Sequence, residues 1–385
     1  MFDAIVIGSG FAGSVTARML ADRGKKVLII EKRAHIGGNM FESNDHTGIS
    51  VHWYGPHIFH TNLKNVFEYL KQFSDWFSYE HRVLGKIDGQ LVPIPFNFTS
   101  LEKLYPQKMA DEIKQKLQAY YPGQEKVSVL DLMCCKDDII SKFGEFVYSK
   151  VFVNYTAKQW GVPPEKVDKS VINRVPVVLG YDDRYFQDKY QAMPCNGFTR
   201  IFENMLDHPN ITVQLSCDAA KRLEMDIENS RIYFDRKLWE KPIIYTGAID
   251  ELMGYEFGML PYRSLDFVFE QHKVTSYQSA AVVNYPNEED FTRITEFKYL
   301  TRQEAQGKTT ILKEFPVPYD VKAEKGNIPY YPIINEDNLA LYKKYKTCTD
   351  KFGNLYLCGR LAEYKYYNMD AVIDRALQLA ESIGS

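Results

Sequence analysis

The chain opens on the apolar run Ala4-Ile5-Val6-Ile7, followed by the turn Gly8-Ser9-Gly10-Phe11-Ala12-Gly13 and a mixed stretch closed by Gly24. A second apolar run, Val27-Leu28-Ile29-Ile30, then ends on Glu31. Short unbroken apolar runs bounded by turn residues predict strands buried on both faces, so the opening reads as a β-α-β unit. From Leu101 to Gly161 apolar positions recur at three- and four-residue steps between charges, as in residues 109–117 and 139–152, which predicts helices. Pro122-Gly123 and Gly161-Val162-Pro163-Pro164 mark their boundaries. Between about 210 and 320 the pattern alternates in the strand manner, as in Ile211-Thr212-Val213, Arg231-Ile232-Tyr233-Phe234, Ala281-Val282-Val283 and Thr309-Thr310-Ile311-Leu312. Pro242-Ile243-Ile244-Tyr245-Thr246-Gly247 reads as a buried strand returning to the opening sheet. Near the end, Leu355-Tyr356-Leu357-Cys358-Gly359-Arg360 predicts one more strand. A helix carrying Ala371, Val372, Ala376, Leu377 and Leu379 follows, with Asn368 as its N-cap.

The glycine turn carries the first chemistry. Gly8 permits the tight turn, Gly10 lets the backbone approach a pyrophosphate, and Gly13 lets helix and strand pack closely. Glu31 stands where a carboxylate accepts hydrogen bonds from ribose hydroxyls and repels a 2′-phosphate, which favours FAD or NAD over NADP. A glycine-rich turn with no ligand is the alternative. Within residues 31–39, which include Lys32 and Asn39, the pair Gly37-Gly38 again suggests backbone close to a ligand. The N-terminus of the last helix would suit a reduced, anionic flavin placed above it. His57 and His60 form either a metal pair or a polar loop beside the cofactor, and the lack of a further His or Cys cluster favours the loop.

Composition narrows the class. The 385 residues, 45% hydrophobic and 25% charged, can build two or three domains of an ordinary globular protein. A net charge of -3 gives no bulk attraction to nucleic acid or a membrane surface. No run reaches a membrane span, the first strand leaves no room for a leader, and six cysteines without a C-x-x-C pair read as reduced thiols. The expectation is a cytoplasmic protein. Aromatic residues make up 14% of the chain, with tyrosines grouped in residues 181–190, 329–332 and 364–367. Flanking prolines there suggest a ring-lined ligand cleft more than core strands.

Five further segments point to a family. They are Tyr54-Gly55-Pro56-His57-Ile58-Phe59-His60-Thr61, Tyr155-Thr156-Ala157-Lys158-Gln159-Trp160-Gly161, Thr292-Arg293-Ile294-Thr295-Glu296, Ile328-Pro329-Tyr330-Tyr331-Pro332 and Gly359-Arg360-Leu361-Ala362-Glu363-Tyr364-Lys365-Tyr366-Tyr367. In this order, behind the glycine turn, they resemble the prokaryotic UDP-galactopyranose mutases over almost the whole chain. The resemblance implies an α/β fold: a Rossmann-like FAD-binding domain (1–80, 195–250 and 340–385), an inserted helical domain (100–170) and an antiparallel sheet domain (80–100, 171–194 and 255–335). It also implies interconversion of UDP-galactopyranose and UDP-galactofuranose for cell-surface polysaccharide, with no net redox change. Reduced flavin is then the nucleophile at the anomeric carbon, an electron donor keeps it reduced, and the protein is a homodimer.

By the same resemblance Arg174 and Arg293 compensate the departing pyrophosphate. On spacing alone Arg293 reads as half of a cross-strand ion pair. Tyr155, Thr156 and Trp160 match the uridine pocket, with Phe152 near the nucleotide. Tyr185, Asn284, Glu314, Tyr331, Tyr366 and Asn368 match other substrate positions. Phe11, Glu31, Asn39, His57, Ile58, Arg360 and the segment Met369, Asp370, Ala371, Val372, Ile373 match flavin contacts. One departure is Asn368, where the family carries Asp; it removes a negative charge beside flavin and substrate. The segment between Glu314 and Tyr331 is also longer than in some members. An FAD-dependent oxidoreductase of the amine-oxidase type shares the fold, and a flavin-binding regulatory protein is a third reading. The Tyr-Thr-x-Lys-Gln-Trp segment and paired arginines separate the mutase from both.

Overall fold

A computed structural model describes residues 1–161 and 176–383. Among the described residues, five parallel strands form the sheet that starts the chain, in the order Ile211–Gln214, Val27–Ile30, Ala4–Ile7, Ile243–Tyr245, Leu355–Leu357. Ala4–Ile7 and Val27–Ile30 are buried at every position, as their unbroken apolar runs predict. Ile211–Gln214 alternates between half-buried and exposed because it is the edge strand. Helices Phe11–Asp22, Gly197–Leu206 and Met369–Ile383 pack on one face through Val15, Leu20, Phe198, Phe202, Ile373 and Ala376. Each such aliphatic or aromatic side chain contributes about 1.5–3 kcal/mol by leaving water.

A second sheet of seven strands runs in the order Tyr331–Pro332, Tyr262–His272, Thr309–Pro318, Arg293–Glu296, Val282–Asn284, Val83–Ile87, Gln90–Ile94. It is antiparallel except where Val282–Asn284 runs parallel to Val83–Ile87, a crossover that the expectation of an antiparallel sheet did not include. Tyr190–Pro194 pairs with both Phe59–Thr61 and Trp76–Ser78 in a small third sheet. Between these strands lie the helices Phe98–Leu104, Gln107–Tyr120, Val129–Met133, Asp138–Val147 and Asn154–Trp160, with their own apolar core. The wider π-helical turn Tyr148–Val153 joins the last two. No helix among the described residues is long and apolar enough to cross a membrane.

Candidate active site

The turn after Ala4–Ile7 shows why each glycine stands where it does. Gly8 has φ +97°, and a Cβ there would lie 2.1 Å from Thr246 Oγ1. A Cβ on Gly13 would lie 2.0 Å from the Gly8 carbonyl oxygen, so helix Phe11–Asp22 can seat on the strand only with glycine at this position. Gly10 differs: a Cβ there would make only ordinary contacts, the nearest with Gly38 at 3.9 Å, at the helix N-terminus. Gly37 and Gly38, at φ +86° and +57°, bring a second backbone segment against Gly10. Glu31 is buried, and its carboxylate accepts from Ser9 N at 2.9 Å, Ser9 Oγ at 2.6 Å and Arg33 N at 2.9 Å. The acid therefore also ties the second strand to the glycine turn.

From this turn a cavity of about 1400 Å³ runs to the seven-stranded sheet. Gly8, Gly10, Phe11, Glu31, Lys32, Asn39, His57, Ile58, Arg360, Met369 and Val372 line it, as do Tyr155, Tyr185, Asn284, Arg293, Tyr331, Tyr366 and Asn368. The sites expected from distant parts of the sequence thus share one space. Some expected residues stand outside its lining. Gly13 serves packing, as above. Phe152 is buried in the core of the helical region, Thr156 is buried one helical step beyond Tyr155, and Glu314 lies behind Arg293. Within the last helix, the period turns Met369 and Val372 to the cavity. The Asp370 carboxylate instead accepts from Thr61 Oγ1 and Ala371 N, both at 2.8 Å, Ile373 is fully buried in the core, and Ala371 is off the lined face. Arg174 and the side chain of Trp160 lie outside the described residues.

The tyrosine groups divide. Tyr185, Tyr330, Tyr331, Tyr366 and Tyr367 line the cavity. Tyr181 is exposed instead, and Tyr364 is a core residue whose hydroxyl donates to Pro261 O at 2.6 Å. Tyr331 and Tyr366 stack with centroids 5.6 Å apart and planes 9° apart, and Arg360 lies 5.1 Å from the second ring. Burial, with the nearby Tyr366 phenol, pushes the Tyr331 hydroxyl up to about 12, so Tyr331 stays neutral.

Charge at the sheet end is concentrated in Arg293. Its Nε donates to Glu314 Oε1 at 2.6 Å across adjacent strands, yet 27% of its side chain stays open to the cavity. Burial works against the guanidinium charge, but the Glu314 carboxylate outweighs it and holds the pKa well above the ordinary value. Burial pushes His57 and His81 down, His81 to about 3, so both imidazoles are neutral bases. His60 is taken by Asp188, 2.8 Å away, and by stacking on Phe186. No group of three or more metal-ligating side chains exists among the described residues.

Arg33, Phe186, His81 and Gln159 also line the cavity and were not expected. Arg33 lies over the Tyr54 ring at 4.2 Å and donates to Asn39 Oδ1 at 2.9 Å, while its Nη1 is buried without a hydrogen-bond partner. Its place between Glu31 and the glycine pair was the available signal. His81 gives no such signal, because only the sheet pairing brings it near Arg293. The Tyr330 hydroxyl is buried and without a hydrogen-bond partner among the described residues as well. An open glycine cradle at a helix N-terminus and an unpaired guanidinium donor suit a dinucleotide with an anionic bridge, so these residues fit FAD.

The comparisons with known proteins agree with this arrangement. A family model described as UDP-galactopyranose mutase matches residues 150–366, and one for an NAD(P)-binding Rossmann-like domain matches residues 6–73. A UDP-galactopyranose mutase from Mycoplasma pneumoniae is 35% identical, covering 99% of this chain and 96% of its own. A dTDP-fucopyranose mutase from Escherichia coli is also 35% identical, covering 99% and 98%. Among solved structures, a reduced UDP-galactopyranose mutase superposes with a TM-score of 0.75 at 17% identity, covering 100% of this chain and 94% of that one. With full-length relatives at this identity, and a family model spanning more than half of its residues, the chain belongs to the UDP-galactopyranose mutase family.

Proposed function

We propose that this protein binds FAD along the glycine turn and, with the flavin reduced, interconverts the pyranose and furanose forms of UDP-galactose. The observation that carries the reading is the cavity itself. It joins a dinucleotide cradle at Gly10 to a cationic, ring-lined end at Arg293, Tyr155, Tyr331 and Tyr366. The bound flavin supplies a nucleophile for the anomeric carbon. The chain supplies the rest. Gly10 and the helix N-terminus, with Arg33, hold the cofactor's pyrophosphate. Arg293, with Arg174 by family resemblance, takes the charge of the nucleoside diphosphate as it leaves. Tyr155 gives a ring face to the base. Neutral His57 and His81 can accept hydrogen bonds without adding positive charge that would compete with Arg293. Glu314 holds the Arg293 fork in place and keeps it charged.

A cationic, ring-lined pocket for a nucleoside diphosphate, at Tyr155, Gln159 and Arg293, distinguishes this reading from an amine-oxidase-type enzyme, whose substrate carries no nucleotide. The reading includes a separate electron donor, a cytoplasmic location in keeping with free cysteines, and a homodimer. A dTDP-linked 6-deoxyhexose is a second substrate reading, favoured by the equally similar Escherichia coli relative. The test is to incubate dithionite-reduced holoenzyme with UDP-galactofuranose and, separately, dTDP-fucofuranose, and resolve the products by chromatography. Pyranose formation from the first supports the primary reading. Formation from the second alone replaces it, and turnover of neither overturns both.

A further inference from the structure

Arg263 is a buried arginine, 7% exposed, that pairs with no carboxylate among the described residues. It lies on the strand Tyr262–His272 with Tyr331 as its cross-strand neighbour, and its carbonyl accepts from Tyr330 N at 3.0 Å. Its side chain crosses to the helix Asn154–Trp160: Nε donates to Gln159 O at 2.9 Å and Nη2 to Lys158 O at 3.2 Å. These are among the last four carbonyls of that helix, which lie beyond its own hydrogen-bonding pattern and where the helix dipole is negative.

Gly161 completes the device. It ends the helix in the left-handed conformation at φ +67°, its N–H donating to Ala157 O at 2.8 Å. A Cβ there would lie 2.7 Å from Arg263 Nη1 and 3.0 Å from Cζ, so glycine makes room for the guanidinium as well as for the turn. One residue thus ties together two walls of the cavity, with Tyr155 and Gln159 on the helix and Tyr330 and Tyr331 on the segment paired with Arg263's strand.

We propose that Arg263 is a positioning residue for the nucleoside diphosphate: by bolting the end of the Tyr155 helix to the Tyr331 strand, with Gly161 as its seat, it fixes the width of the nucleotide cleft. The inference rests on the proposed function, in which the nucleotide occupies that cleft. Arg263 itself does not line the cavity, so it acts through Tyr155 and Gln159.

The test uses flavin-loaded enzyme with Arg263→Met, Arg263→Lys and Gly161→Ala. UDP and dTDP binding are measured by calorimetry, flavin content by absorbance, and kcat and KM on the furanose substrate. Arg263→Met should retain flavin, weaken nucleotide binding and raise KM by ~10-fold or more, and change kcat by no more than ~3-fold. Arg263→Lys should recover part of the loss, because an ammonium keeps the charge at the helix end without the two-pronged geometry. Gly161→Ala should reproduce the Arg263→Met pattern without touching the arginine, and it carries the test if Arg263→Met does not fold. Unchanged nucleotide affinity in the variants overturns the inference alone. Parallel loss of flavin and nucleotide also overturns it, by making Arg263 a general structural residue. Wild-type enzyme that binds neither UDP nor dTDP overturns the underlying reading.

Discussion

Arg293 Nε and Glu314 Oε1 lie 2.6 Å apart as register partners on adjacent strands, with the carboxylate 98% buried and the guanidinium partly open to the cavity. Sequence spacing suggested a cross-strand ion pair, and family resemblance suggested a substrate-facing cation. The geometry accommodates both, since one prong of the fork is held by Glu314 while the side chain keeps cavity exposure. Arg293→Ala is expected to retain flavin and lower kcat/KM by on the order of 2 kcal/mol or more, roughly thirtyfold. It should also lower the melting temperature by stranding the buried Glu314 carboxylate. Adding Glu314→Gln should restore stability but not activity. Recovered activity in the double variant would show that Arg293 acts only through the pair.

The two inner glycines of the turn should fail differently. Gly13→Ala places a methyl against the Gly8 carbonyl and is expected to destabilise the fold, seen as loss of the cooperative circular-dichroism melt. A Cβ at Gly10 makes only ordinary contacts, with Gly38 at 3.9 Å and Gly37 at 4.0 Å, so Gly10→Ala is expected to leave the melt of the apoprotein near wild type while lowering flavin content. Normal flavin content in Gly10→Ala would refute the placement of a pyrophosphate there.

Buried His81 gives a pH dependence of definite sign. Its folded pKa, pushed by burial to about 3, lies below the unfolded value, so the unfolded chain takes up a proton that the folded one refuses. The stability contribution is therefore complete above the unfolded pKa and is lost as pH falls through the window between the two. From neutral pH to about pH 5 the loss is about 2 kcal/mol, and His57 adds in the same direction. Urea midpoints should fall over this range, and His81→Gln should flatten the slope. An unchanged slope would place His81 outside the linkage.

How much was legible follows from what each residue depends on. The parallel strands were readable because Ala4–Ile7, Val27–Ile30 and Ile243–Tyr245 are buried on both faces and so carry unbroken apolar runs. Gly8 and Gly13 were readable because a left-handed turn and a close helix–strand contact each need glycine, whereas Gly10 was readable only from its place in the pattern. The turn Tyr148–Val153 was not, since its apolar residues also fit the narrower α-helical period. Pairing partners such as Val83–Ile87 with Val282–Asn284, and the arrival of His81 and Arg263 at the cavity walls, depend on contacts between residues far apart in the chain. The proline-flanked tyrosines marked the cleft, but local composition could not tell Tyr366, which faces the cavity, from Tyr364, which reaches Pro261 through the core.

The central claim is that a flavin cavity here serves a reaction without net electron transfer. Its most direct measurement is the number of turnovers per flavin, made anaerobically with enzyme reduced once, freed of excess reductant and mixed with UDP-galactofuranose. The account predicts many pyranose products per flavin, with the flavin absorbance still that of the reduced form at the end and no turnover by oxidised enzyme. One product per flavin accompanied by reoxidation, or equal turnover by the oxidised enzyme, would contradict it.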